Sequence, residues 1–160
     1  MVKAIEPVLT SIGDWTIRHV GWSAVSSGLQ RVYKAGCAAL SASSTNPSVA
    51  NLHEWRKQAK YLWHGQQLIG QSWTDEAKEL GDRAHRLTQL LGDDHDLAVL
   101  RQMLGADPLA YGGCGFLENL FLLIKRRREN LEQQAFAIGR CVYRDSPTTF
   151  TKRMEQSRKW

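Results

Sequence analysis

The sequence has little cysteine and no long apolar run. Cys37, Cys114 and Cys141 are odd in number and far apart. That fits reduced thiols rather than a disulfide framework, and no two of them have the spacing of metal ligands. The longest apolar stretch, FLENLFLLI at 116–124, is broken by polar residues and is too short to span a bilayer. Residues 1–15 lack the apolar core of a signal peptide, so a cytoplasmic protein is expected. No stretch alternates as a strand would. The glycines of GADPLAYGGCG at 105–115 lack both the G-x-x-x-x-G-K-S/T pattern and a preceding strand, which excludes a phosphate-cradling P-loop. No resident metal or cofactor is expected. His53 and His64 lie three helical turns apart and cannot ligate one metal together, with or without His85.

Acidic residues are also the scarcer charge. Against 16 Asp and Glu stand 21 Lys and Arg, giving a net charge of +5 and a pI of about 9.3. Such a balance favours an acidic partner: phosphate chains, nucleic acid or an anionic membrane. The chain of 160 residues is long enough for one domain with a real core.

What is present is helical periodicity. The segment of about 27–41, GLQRVYKAGCAALS, places Leu29, Val32, Gly36, Ala39 and Leu40 on one side, with Arg31 and Lys34 off it. A polar link, SASSTNP, follows, and Asn46–Pro47 reads as an N-cap and first-turn pair. A second helix then runs to about Gly70. A third starts at Thr74, with Asp75 and Glu76 at the positive end of its dipole and Ala77, Leu80, Ala84, Leu87 and Leu91 inward. Gly92 either ends this helix or kinks it. If the helix continues, His95 falls on the buried side among Asp93, Asp94 and Asp96. Residues 105–115 read as a loop. The longest pattern, 116–143, turns Leu117, Leu120, Phe121, Ile124, Leu131, Ala135 and Ile138 inward. Ser146–Pro147 opens a short last helix whose charges are expected to face solvent. Residues 1–21 read as a leading segment pinned by Trp15 and Trp22. The prediction is an all-α chain, a single domain over 1–160: an antiparallel helical bundle of four main helices plus a short C-terminal helix over 22–160.

LHEWRKQAKYLWH at 52–64 is the most informative stretch. Stepping ~100° per residue gathers Leu52, Trp55, Ala59, Leu62 and Trp63 on one side. His53, Arg56, Lys57, Lys60 and His64 form an adjacent stripe in which Glu54 is the lone acid. Stacked like charges repel, so the stripe is either a solvated basic face or the floor of a polyanion site. In the run KRRR at 125–128, Arg126 points away, Arg127 sits at the edge and Arg128 lies inside the apolar arc. A buried unpaired guanidinium costs several kcal/mol. Arg128 therefore needs a core carboxylate or a bound anion.

LHEWRKQAKYLW at 52–63, LLGDDHDLAVL at 90–100, IKRRRENLE at 124–132, the tail YRDSPTTFTKRM from 143 and GLQRVYKAG from 28 together resemble a CHAD domain, the conserved histidine α-helical domain. The resemblance runs over roughly residues 12–160, in the family's order and with similar gaps. It implies an all-helical fold with a basic pocket that binds inorganic polyphosphate. Some members accompany triphosphate-tunnel catalytic domains or polyphosphate granules. By residue matching it assigns anion binding to His53, Arg56, Lys57 and Lys60 of the H-x-x-R-K-x-x-K helix, His95 of the second motif, Arg127 and Arg128 of the third, and Arg31 and Lys34 of the first helix. The chain resembles the C-terminal half of such a domain, so a homodimer completing a two-half bundle is the partner implied. Ala35, Cys37 and Ala38 stand where the family's first helix usually carries more arginine.

The expected function is therefore binding of polyphosphate or a similar polyanion without catalysis. The competing classes are a phosphohydrolase using His95 with Asp94 or Asp96, a helical interaction module, and nucleic-acid binding. The last is disfavoured because the tryptophans fall on the core side, not among the cations.

Overall fold

A computed structural model describes residues 21–69 and 74–157. Among these described residues five α-helices follow in order: α1 Trp22–Thr45, α2 Val49–Ile69, α3 Asp75–Ala106, α4 Cys114–Val142 and α5 Pro147–Gln156. A 3-10 turn, Pro108–Tyr111, links α3 to α4, and no strand occurs among the described residues. The all-α bundle is as expected.

Contacts fix the directions. Arg56 lies against Gly92 and Gln66 against Gly81, so α2 and α3 run antiparallel. Arg128 meets Asp94 and Phe121 meets Gly105, so α3 and α4 do too. Leu29 touches Gly65 across α1 and α2. The short α5 returns onto α1, where Phe150 stacks on Tyr33 with ring centroids 3.8 Å apart.

Several boundaries differ from the sequence expectation. Helix α1 begins at Trp22, a turn before the predicted start, and Trp22 packs against the core. Trp15 and Gly70 lie outside the described residues. The cap of α2 is Ser48, not Asn46: Ser48 Oγ accepts a hydrogen bond from the Asn51 N–H at 3.2 Å, and Asn46 instead offers its carbonyl to Asn51 Nδ2. Gly92 neither ends nor kinks α3, which runs unbroken to Ala106. The region 105–115 is mostly the end of α3, the 3-10 turn and the start of α4, with Gly112 and Gly113 at positive φ. Helix α5 opens as expected, with Ser146 Oγ accepting from the Thr149 N–H at 3.1 Å.

The inward stripes meet in one core. Leu52, Trp55, Ala59 and Leu62 of α2 are buried against Ala84, Leu87 and Leu91 of α3 and Leu131 and Ala135 of α4. Trp55 is completely buried and takes up the space that a side chain at Gly139 would need. Tyr143 does the same at Gly36. Tyr33, which the sequence reading left out of the core, is also completely buried. Its hydroxyl donates to the Val142 carbonyl at 3.0 Å and accepts from the Asp145 N–H at 3.2 Å. Burial pushes this phenol up to about 12, so it remains a donor. A second, smaller cluster of Leu104, Leu117 and Ile124 holds the far end of the α3–α4 hairpin.

Candidate anion-binding groove

Between α2 and α3 runs a groove of about 280 Å³ lined by Arg56, Lys60, Trp63, His85, Gln89, Gly92, Asp93 and Asp96, among others. Helix spacing builds it. On α2, Arg56, Lys60 and Trp63 are three and four apart; on α3, His85, Gln89, Gly92 or Asp93, and Asp96 form the facing row. Because Gly92 has no side chain, the Arg56 guanidinium lies flat on α3. A Cβ at Gly92 would sit 3.2 Å from Arg56 Nη2 and 3.3 Å from its Nε. Arg56 Nε is buried and has no hydrogen-bond partner among the described residues.

The cations of α2 divide into two kinds. Lys57 is bound to Glu54 at 2.6 Å, a contact that lowers the Glu54 carboxyl and raises the Lys57 amine. Arg56 and Lys60 have no ion pair among the described residues, and both face the groove. Trp63 stacks on His85 with centroids 4.2 Å apart and forms an aromatic end wall. Gln89 reaches His85 Nε2 at 3.1 Å. His53 and His95 meet across the two helices with centroids 4.8 Å apart, and His95 Nδ1 is buried without a partner among the described residues.

The DDHD turn of α3 thus sends its residues to different neighbours. Gly92 receives Arg56, Asp93 and Asp96 line the groove, His95 meets His53, and Asp94 turns to α4. Arg128 grips Asp94 with its fork: Nε to Oδ1 at 2.8 Å and Nη2 to Oδ2 at 3.1 Å, with Glu132 3.5 Å from Nη2. The open question over Arg128 is answered by a core carboxylate. Asp94 is 2 % exposed and Arg128 15 %. The charge of Arg128 is thus matched inside the bundle by Asp94.

The other sequence-predicted cations do not join this groove. Arg31 and Lys34 line a separate groove of about 480 Å³ with Ser27, Gln30, Pro147 and Thr148, between α1 and α5. Arg127 is exposed on α4 and lines neither groove. The lysine and arginine of the α2–α3 groove come from one helix; α3 supplies an imidazole and two carboxylates. On α5, Arg153 does not face solvent as expected. It ties the C-terminal helix down, 2.8 Å from Asp145 and 3.7 Å from Glu76.

His85 and Gln89 were not singled out as groove residues from the sequence. Their signal is the row at 85, 89, 92 and 96, spaced by four, three and four, opposite the cationic edge of α2. Among the described residues no three His, Cys, Asp or Glu side chains form a group that could hold a metal ion. No described helix is long and apolar enough to cross a membrane.

Comparison with known proteins agrees with the motifs. No curated protein and no solved structure matches the chain. The CHAD domain family matches residues 5–105, a stretch that includes α1, α2 and all but the last residue of α3 and so both walls of the groove, while the third motif and the tail lie beyond it. By that match over more than half its length, the chain belongs to the CHAD domain family.

Proposed function

We propose that the chain binds inorganic polyphosphate, or a similarly phosphate-rich polyanion, along the edge of α2, without turning it over. One observation carries this reading. Arg56 and Lys60 sit one turn apart, free of ion pairs among the described residues, at a groove where Arg56 presents a buried and unpartnered Nε. Arg31 and Lys34 on the α1–α5 groove are likewise without an ion pair among the described residues, so it is the buried, unpartnered Nε of Arg56 that favours the edge of α2.

The chemistry suits phosphate. A guanidinium offers a planar fork to two oxygens, and lysine a mobile point charge. His53 and His95 lie one against the other at the same edge and offer further ring nitrogens there. Asp93 and Asp96 oppose an anion on the α3 side. The chain of phosphates accordingly runs along α2, past His53, Arg56 and Lys60. Family membership supports the ligand class, since CHAD domains bind polyphosphate.

The test is a titration of the intact chain with polyphosphate at two salt concentrations, with phosphate release followed in parallel in magnesium. Binding that weakens with salt and releases no phosphate supports the proposal. No binding at low salt overturns it, and steady phosphate release would make the protein an enzyme. A competing duplex DNA that displaces polyphosphate at equal charge would point to a general polyanion surface instead.

A further inference from the structure

The α3–α4 hairpin overhangs the rest of the bundle, and its tip is apolar. His53, which faces His95, is only four residues into α2 from Val49, whereas α3 continues eleven residues past His95 to Ala106. The difference is an overhang of roughly 10 Å. Val99 and Met103 continue the row of Gly92 and His95 at helical spacing, and they are 40 % and 58 % exposed. Eight of the twelve exposed large apolar side chains among the described residues lie between 99 and 123, Leu109, Phe116 and Leu123 being the most exposed of them. By the helical step of ~100° per residue, Phe116 and Leu123 share one side of α4 while Leu122 lies on another, so these side chains surround the tip.

Charge selects the occupant. Between Leu97 and Ile124 the sequence has just three charged residues, Arg101, Asp107 and Glu118, in a chain of net charge +5. A polyanion or an acidic protein has little to hold here. Arg101 and Glu118 line one shallow cleft with Phe121 and Leu122, yet neither has an ion pair among the described residues. Arg101 instead lies over the Phe121 ring, 5.5 Å from its centroid. One unpaired cation and one unpaired anion on the same apolar surface are self-complementary: about a two-fold axis each meets the other on the second copy.

We propose that the tip of the α3–α4 hairpin is the interface through which two copies of this chain pair, with Arg101 of each facing Glu118 of the other. The surface is separate from the α2–α3 groove.

The experiment is sedimentation of the full chain from low to high micromolar protein, with four variants. The wild type is expected to dimerise. Met103→Glu with Phe116→Glu, both at exposed positions, should weaken association at least tenfold while leaving helix content unchanged by circular dichroism. Arg101→Glu and Glu118→Arg should each weaken it, and the two together should restore it. A wild type that stays monomeric throughout overturns the proposal, as does a charge-swapped double variant no better than either single one. Retention of a different protein by a monomeric chain would also overturn it, by assigning the tip to another partner.

Discussion

Arg128 and Asp94, 34 residues apart in sequence, form a two-point ion pair between α4 and α3, with Nε to Oδ1 at 2.8 Å and Nη2 to Oδ2 at 3.1 Å. Both are largely shielded from water, so each partner depends on the other. Removing one leaves an uncompensated charge in the bundle, at a cost of about 3–5 kcal/mol. Asp94→Asn and Arg128→Met should each lower stability on that order, and the double variant should lose clearly less than the sum. Urea unfolding of the four proteins gives the coupling energy directly. Strictly additive losses would mean the pair contributes no coupling, and an Arg128→Met protein of full stability that fails to bind polyphosphate would return Arg128 to the ligand.

Gly92 is the position that lets Arg56 lie on α3. In a helix interior, alanine is favoured over glycine by up to ~1 kcal/mol. The new methyl would meet only the far end of a flexible side chain, at 3.2–3.3 Å. Gly92→Ala is therefore expected to keep or slightly raise the melting temperature and to weaken polyphosphate binding severalfold by displacing the guanidinium. A variant that is more stable and binds equally well would show that the placement of Arg56 does not matter for the ligand.

Gly139 and Gly36 are held small by rings that have nowhere to go. A Cβ at Gly139 would overlap the completely buried Trp55 indole, and one at Gly36 the Tyr143 ring. Overpacking of this kind costs typically about 1–3 kcal/mol, more than the gain in helix propensity. Gly139→Ala and Gly36→Ala should both lower the melting temperature, in contrast to Gly92→Ala. Equal or higher stability in either would mean the rings have room to shift.

Burial, and next the neighbouring Asp94 carboxylate, push the Glu132 carboxyl above its ordinary 4.5, with Arg128 offsetting only part of this. A carboxyl raised in the folded state binds its proton more tightly there than in the unfolded chain. Its contribution to stability is fully present below 4.5 and is lost as pH rises through the folded value. Glu132→Gln should therefore be at least as stable as wild type at pH 7, with the advantage disappearing by pH 4. Melting temperatures of both proteins across that range check the sign, and a variant that gains its advantage only at low pH would contradict it.

The core was largely legible because it follows one rule. Leu52, Trp55, Ala59 and Leu62, and Ala77, Leu80, Ala84, Leu87 and Leu91, recur at helical spacing and are all buried. Tyr33 broke the pattern. Its place depends on Phe150, Val142 and Asp145, more than a hundred residues away, and a polar aromatic gives no periodic signal for such a contact. The need of Arg128 for a partner was readable from its position in the apolar arc. The identity of that partner was not, since three nearby carboxylates compete and the α3–α4 packing angle chooses Asp94. The basic edge of α2 was likewise visible from charge and spacing. That Arg31 and Lys34 open onto a different groove follows from how α5 folds back over α1, a long-range packing choice the local sequence does not encode.

The decisive measurement compares two double variants in the same polyphosphate titration at low salt. Each charge-assisted contact is worth about 1.5–3 kcal/mol, and 1.4 kcal/mol is tenfold in affinity. Arg56→Ala with Lys60→Ala is predicted to weaken binding by roughly a hundredfold or more, while Arg31→Ala with Lys34→Ala, which removes the same charge from the α1–α5 groove, stays close to wild type. Equal losses in the two variants, or a larger loss from the α1 pair, would contradict the placement of the anion on the edge of α2.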